Sequence, residues 1–163
     1  MSAKRLQDRA RPAQPSLTFD FTYTFPDRNR MVTGSFTGDL TGDVVNNIAN
    51  VRVFFDGVEM PGPIYTAKYN SSGVPNYWLN GAVVSFDVTK NNFIFANGDL
   101  TKGGGFNSYF FILDGSTSHK KATTYSAPLA KHDSALNPTP AQWTLAARDA
   151  FGVQAVRRLR ARK

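Results

Sequence analysis

The sequence predicts an all-β chain: an antiparallel β-sandwich or jelly-roll-like domain with one short C-terminal α-helix. Three observations carry that expectation. Apolar and polar residues alternate over short stretches, the period of a half-buried strand. Turn signals built on Gly, Asn, Asp and Pro recur every ~8–12 residues. The 163 residues include 13 Phe and 6 Tyr but no Cys, so aromatic residues are available for a core while disulfides and thiolate chemistry are excluded.

The elements follow in order. LTFDFTYTF, residues 17–25, places Leu17, Phe19, Phe21, Tyr23 and Phe25 on one face. Pro26-Asp27 begins a turn. Residues 31–38 resume strand chemistry with Val32 and Phe36, and Gly38-Asp39 and Gly42-Asp43 read as tight turns. Residues 48–55 form a strand ended by Asp56-Gly57. After Pro61-Gly62-Pro63 come Ile64, Tyr65 and Tyr69, then a loop at 70–73. Residues 76–88 read as one long strand region, 93–95 as another, and Tyr109–Leu113 as the most apolar strand. A weaker strand lies near Ala122–Ala127. The count is roughly seven to nine strands, in keeping with a sandwich.

From residue 139 the pattern changes. Thr139 caps a helix and Pro140 fits its first turn. Trp143, Ala147 and Phe151 recur every four residues, and Arg157, Arg158, Arg160, Arg162 and Lys163 lie at the dipole-favoured end. The expected organisation is a basic segment at 1–15, a β-domain at 16–127, a linker at 128–138 and a helical tail at 139–163.

The formal charge of +7 sits at the two ends. Residues 1–15 carry +3 and residues 143–163 carry +5, whereas residues 16–142 hold nine basic and ten acidic groups. A basic reading face on the folded body is therefore not expected, and neither is a specific nucleic-acid partner. The C-terminal arginines have three readings: a solvated end, an anionic membrane surface, or non-specific nucleic-acid contact. No apolar run approaches the ~20 residues of a membrane helix, so the chain as written is expected to be soluble.

Candidate chemistry is sparse. Asp39, Asp43, Asn46 and Asn47 gather oxygen donors and form a candidate calcium site, because that ion takes six to eight oxygen ligands. The competing reading makes Asp39 and Asp43 ordinary turn residues; no other cofactor is expected. Tyr77 and Trp78, beside Asn76 and Asn80, form a candidate aromatic platform for a sugar ring. Against this, aromatic residues dominate β cores, which makes Trp78 a core anchor. Gly34, Gly38 and Gly42 read as turn and bulge glycines. His119 and His132 stand in no catalytic motif. Asp39, Asp43, Asp56, Glu59, Asp87, Asp99 and Asp114 would have to supply any carboxylate pair of a glycan hydrolase. No catalytic residue is assigned, and the expectation is of a protein that is not an enzyme.

The tail Pro138-Thr139-Pro140-Ala141-Gln142-Trp143, followed by Phe151-Gly152 and Arg157-Arg158-Leu159-Arg160, resembles the C-terminal sorting segment of bacterial PEP-CTERM proteins. Those tails carry Pro-Glu-Pro, an Ala-x-Trp step, an apolar span with Phe-Gly, and an Arg cluster. Here Thr139 replaces Glu, and Arg148, Asp149 and Gln154 interrupt the span. The body stretch Gly34–Asp39 with Ile48–Val53 is similar to domains found upstream of such tails. The first residues resemble the positive start of a signal peptide and Ala13-Gln14-Pro15 its cleavage region, with QDRARP in place of the apolar middle. The resemblance implies a non-enzymatic secreted or cell-envelope β-domain, a substrate of exosortase type, linked to extracellular polymer and surface display. Pro138, Pro140, Trp143, Arg157, Arg158 and Arg160 would be its sorting residues. Its implied partner is an extracellular polysaccharide. A glycan hydrolase and a β-domain without a ligand of its own remain the alternatives.

Overall fold

The computed structural model describes residues 16–70, 77–98, 106–113 and 121–148. Within them lie twelve strands and one 3-10 turn at Val88–Lys90. The strands are β1 (Leu17–Phe25), β2 (Arg30–Thr41), β3 (Val44–Phe55), β4 (Val58–Glu59), β5 (Ile64–Tyr69) and β6 (Tyr77–Leu79). They continue with β7 (Val84–Ser85), β8 (Phe93–Asn97), β9 (Ser108–Leu113), β10 (Lys121–Ser126), β11 (Lys131–Leu136) and β12 (Trp143–Ala147).

Two antiparallel sheets form. The first runs β12-β1-β2-β3-β4, with β7 paired to β3; the second runs β11-β10-β9-β8-β5-β6. Local sequence explains the hairpins. Gly42-Asp43 joins β2 to β3, and Gly42 takes a φ of 65°. Asp56-Gly57 joins β3 to β4 with positive φ at both residues, 49° and 80°, as the tightest hairpin turns require.

The sheets face each other across one aromatic core. From the first sheet come Phe19, Phe21, Tyr23, Phe25, Val32, Phe36, Val53 and Phe55; from the second, Phe93, Phe95, Phe110 and Ile112. The Phe21 ring lies 5.9 Å from Phe95, Phe110 and Trp143, which join both layers through one side chain. Gly34 permits this: a Cβ there would collide with the Arg52 carbonyl and the Phe21 ring. Its role is close approach rather than a turn.

Several expectations are corrected. The jelly-roll alternative gives way to two sheets built largely from sequential hairpins: β1 to β3 neighbour one another in one sheet, and β8 to β11 in the other. Residues 143–147 are a strand, not the start of a helix. Trp143 and Ala147 share a face at either period, since four residues is close to one helical turn and also two strand repeats. Pairing with β1, from Phe19↔Ala147 to Tyr23↔Trp143, decides for the strand. The remainder of the expected helix lies outside the described residues. The Thr139-Pro140 cap is instead a β-turn, closed by Gln142 N–H donating to the Thr139 carbonyl at 3.0 Å. Proline suits both, because each needs the φ that its ring fixes.

Residues 131–136, within the expected linker, form β11 and pair along β10. The long strand at 76–88 is two short ones in different sheets, parted at Asn80 with φ 59°. Gly38-Asp39 lies inside β2 rather than in a turn. The register of β2 on β3 shifts on both sides of Thr37, so a bulge takes up the irregularity. No helix among the described residues is long and apolar enough to cross a membrane.

Candidate functional site

The second sheet has an unusual outer face. In β8, Phe93 and Phe95 point into the core while Ile94 and Ala96 point out, yet the outward pair is also buried, 6% and 0% exposed. Ala67 of β5 joins them, and Tyr77, Phe106, Tyr109, Phe111 and Leu113 pack around. The rings form a connected strip. Tyr77 lies 6.5 Å from Phe106, and Phe106 lies 5.9 Å from Tyr109. Tyr109 lies 5.7 Å from Phe111 with planes only 17° apart, and 6.0 Å from Tyr125 on β10. Burial first, and the Tyr125 phenol second, raise the Tyr109 phenol above its ordinary value. Tyr65, Leu79 and Leu136 lie on the same face and are 42%, 41% and 60% exposed.

The first sheet's outer face contrasts with this. Thr18, Asp20 and Thr22 of β1 stand opposite Thr37, Ser35 and Thr33 of β2. Arg148 donates twice to Asp20, at 2.8 and 2.5 Å. Arg52 does the same to Glu59, at 2.8 and 3.1 Å, which lowers the Glu59 carboxyl below its usual range.

The sugar-platform pair is divided by the strand. Tyr77 joins the outer aromatic strip. Trp78, the next residue, lies on the opposite side of β6, paired with Lys68. It is 55% exposed, so it is not the expected core anchor. At the sheet edge the facing layer no longer covers it.

Three members of the calcium candidate set, Asp39, Asn46 and Asn47, are neighbours, and the fourth, Asp43, is paired with a lysine. Asp39 accepts from Ser16 Oγ at 2.6 Å and Asn47 Nδ2 at 2.8 Å, and these bonds hold its carboxyl low, Ser16 contributing most. Asn46 stands opposite Asp39 in the β2–β3 ladder. The Asp43 carboxylate meets Lys90 Nζ at 2.6 Å. A cation would have to displace that ammonium. Among the described residues no cluster of three or more His, Asp or Glu side chains has metal-binding geometry.

Other carboxylates hold turns or strands. Asp56 accepts the Met31 N–H at 3.1 Å, and Asp87 caps the 3-10 turn at Thr89. Asp99, Asp114 and His119 lie outside the described residues. His132 is an exposed residue of β11.

Of the sorting residues, Trp143 is a core residue, 5% exposed, whose Nε1–H donates to the Ser85 carbonyl at 2.8 Å. Pro138 is buried and Pro140 exposed. Arg157, Arg158 and Arg160 lie outside the described residues.

Sequence reasoning missed the buried setting of four polar side chains. Asn91 and Asn92, between the expected strands at 76–88 and 93–95, are buried: Asn91 Oδ1 accepts the Ser85 N–H, and Asn92 bonds both backbone groups of Tyr69. Tyr23 and Asp133 place a phenol and a carboxylate oxygen in the interior without hydrogen-bond partners among the described residues. Arg30 Nε stands 3.9 Å from the same Asp133 oxygen. Burial first and Asp133 second push the Tyr23 phenol far above its ordinary value. Asp133 lies in the stretch read as a linker, so no sequence signal pointed to this.

Compared with family models, curated proteins and solved structures, the chain shows no match.

Proposed function

We propose that this chain is a non-enzymatic secreted or cell-envelope-associated β-domain that binds extracellular polymer. The observation that carries the reading is the aromatic outer face of the second sheet. A row of partly buried rings on a rigid sheet is suited to the C–H faces of sugars, which are apolar, while phenols at the rim serve sugar hydroxyls. Support against a glycan hydrolase comes from the described members of the carboxylate set. Asp39, Asp43, Asp56, Glu59 and Asp87 are engaged with donors or turns at separate places.

The test is retention on a panel of immobilised polysaccharides, with release of reducing ends followed in parallel. Binding without turnover is expected. Turnover that disappears in an Asp→Asn scan of the seven candidate carboxylates would overturn the binding reading in favour of the hydrolase.

Surface display through the tail belongs to the same proposal. Because Trp143 and β12 are part of the fold, a sorting or membrane-facing segment would begin after Arg148. Flotation with anionic liposomes, comparing the full chain with one ending at Arg148, tests it. Salt-sensitive flotation of the full chain alone is expected from its basic cluster.

A further inference from the structure

We infer that the strip from Tyr77 through Phe106 and Tyr109 to Tyr125 is the binding face, and that it takes a polysaccharide bearing carboxylate groups. This rests on the polymer-binding reading above and names its site and ligand class.

Ring geometry gives the first argument. Tyr125 and Tyr109 are directly opposed across β10 and β9, and Phe111 lies two residues along from Tyr109. The sheet register therefore fixes the Tyr109, Phe111 and Tyr125 part of the platform, and Phe106, just ahead of β9, joins it to Tyr77. Ring centroids stand 5.7 to 6.5 Å apart, comparable with the roughly 5 Å that a sugar ring spans, so successive rings can meet successive sugars in van der Waals contact. Charge gives the second. The described strands of this face carry no carboxylate, and Lys121 lies on it, opposite Leu113 and Leu136. His132 stands opposite Tyr125. An acidic polymer meets a cation there and, among the described residues of the face, no repelling anion. The first sheet's outer face instead presents Asp20, Asp39 and Glu59, each already bonded within the protein. Sugar hydroxyls have Ser134 and the phenols as partners on the second sheet's face.

The experiment uses the full chain and three soluble probes: polygalacturonate, its fully methyl-esterified form, and polyglutamate. Affinity electrophoresis and calorimetry read binding; circular dichroism and denaturant midpoints check folding. Polygalacturonate is expected to bind best and the ester more weakly, with polyglutamate not retained. Tyr125→Ala is expected to weaken binding about tenfold, the change that ~1.4 kcal/mol makes, and Tyr125→Phe to keep most of it. Lys121→Gln is expected to reduce salt dependence without unfolding the chain, and Arg52→Gln on the other sheet to leave binding unchanged. Polygalacturonate binding unaffected by both Tyr125→Ala and Lys121→Gln would overturn the site and leave polymer binding standing. Equal binding of the ester would overturn the charge assignment, and equal binding of polyglutamate the stacking. Binding of no sugar polymer would overturn both this inference and the reading beneath it.

Discussion

β1 and β9 lie on opposite sides of one core, and only β1 has a polar back. Phe19, Phe21 and Tyr23 point inward from β1 while Thr18, Asp20 and Thr22 point out. In β9, Phe110 and Ile112 point inward, and Tyr109, Phe111 and Leu113 form an apolar outer layer. Water therefore solvates the back of the first sheet and is partly excluded from that of the second. A strand with one solvated face alternates in sequence, whereas one covered on both sides reads as a continuous apolar run. The difference locates where a partner has most to gain from contact, because apolar area left at a surface is the area whose removal from water stabilises a complex.

The comparison can be broken most forcefully through the core that both sheets share. Trp143→Ala should cost roughly 3–5 kcal/mol, the range for a large buried aromatic, read as a shift in denaturant midpoint. A loss below about 1 kcal/mol would mean that β12 is not part of the sandwich. Next come paired truncations on the second sheet. Phe95→Ala, facing inward, should cost roughly 3–5 kcal/mol, and Phe111→Ala, facing outward, about 1–2 kcal/mol, since less area leaves water there. Equal losses would make the outer layer a second full core and remove the reason to look for a ligand on it.

Tyr23→Phe is a finer test of the inner layer. Removing a buried hydroxyl that lacks a partner should be neutral or stabilising by up to about 1 kcal/mol. The same phenol has a raised folded-state pKa, so the native state keeps its proton where the unfolded chain loses it. Its contribution to stability is complete below the unfolded value of 10.0 and falls as pH rises above it. Alkaline unfolding should accordingly shift to higher pH in Tyr23→Phe. The smallest effect is expected on the solvated back of the first sheet. Asp20→Asn breaks an exposed bidentate pair with Arg148 and should move the melting temperature least, and less still in high salt.

Legibility followed how local the cause was. β1 was readable because five apolar residues alternate without a break, and its predicted bounds and inward face match the structure. Asp56-Gly57 was readable because few other residues adopt two positive φ values in succession. β11 was not, because KHDSAL alternates weakly and its partner β10 supplies the hydrogen bonds. Trp78 was misread for a related reason: its aromatic character suggested a core, but at the edge strand nothing covers it. Of the candidate site, only Tyr77 was anticipated. Tyr109, Phe111 and Tyr125 were present in predicted strands, but their alignment into one strip depends on register between strands, which composition does not reveal.

By itself, then, the sequence determined the class of structure, the aromatic content of the core, the inward face of β1 and the tight hairpins. Each depends on periodicity or on dihedral preferences that a residue carries with it. Tertiary structure decided the two-sheet order, the fate of residues 143–147, the separation of Tyr77 from Trp78 and the joining of Tyr77 to Tyr125. Trp143 and Ala147 satisfy a helix and a strand equally well, and only the unpaired edge of β1 selects between them. Backbone hydrogen bonds that a strand cannot make within itself must be completed by a neighbour, so the choice belongs to the assembled sheet rather than to the segment.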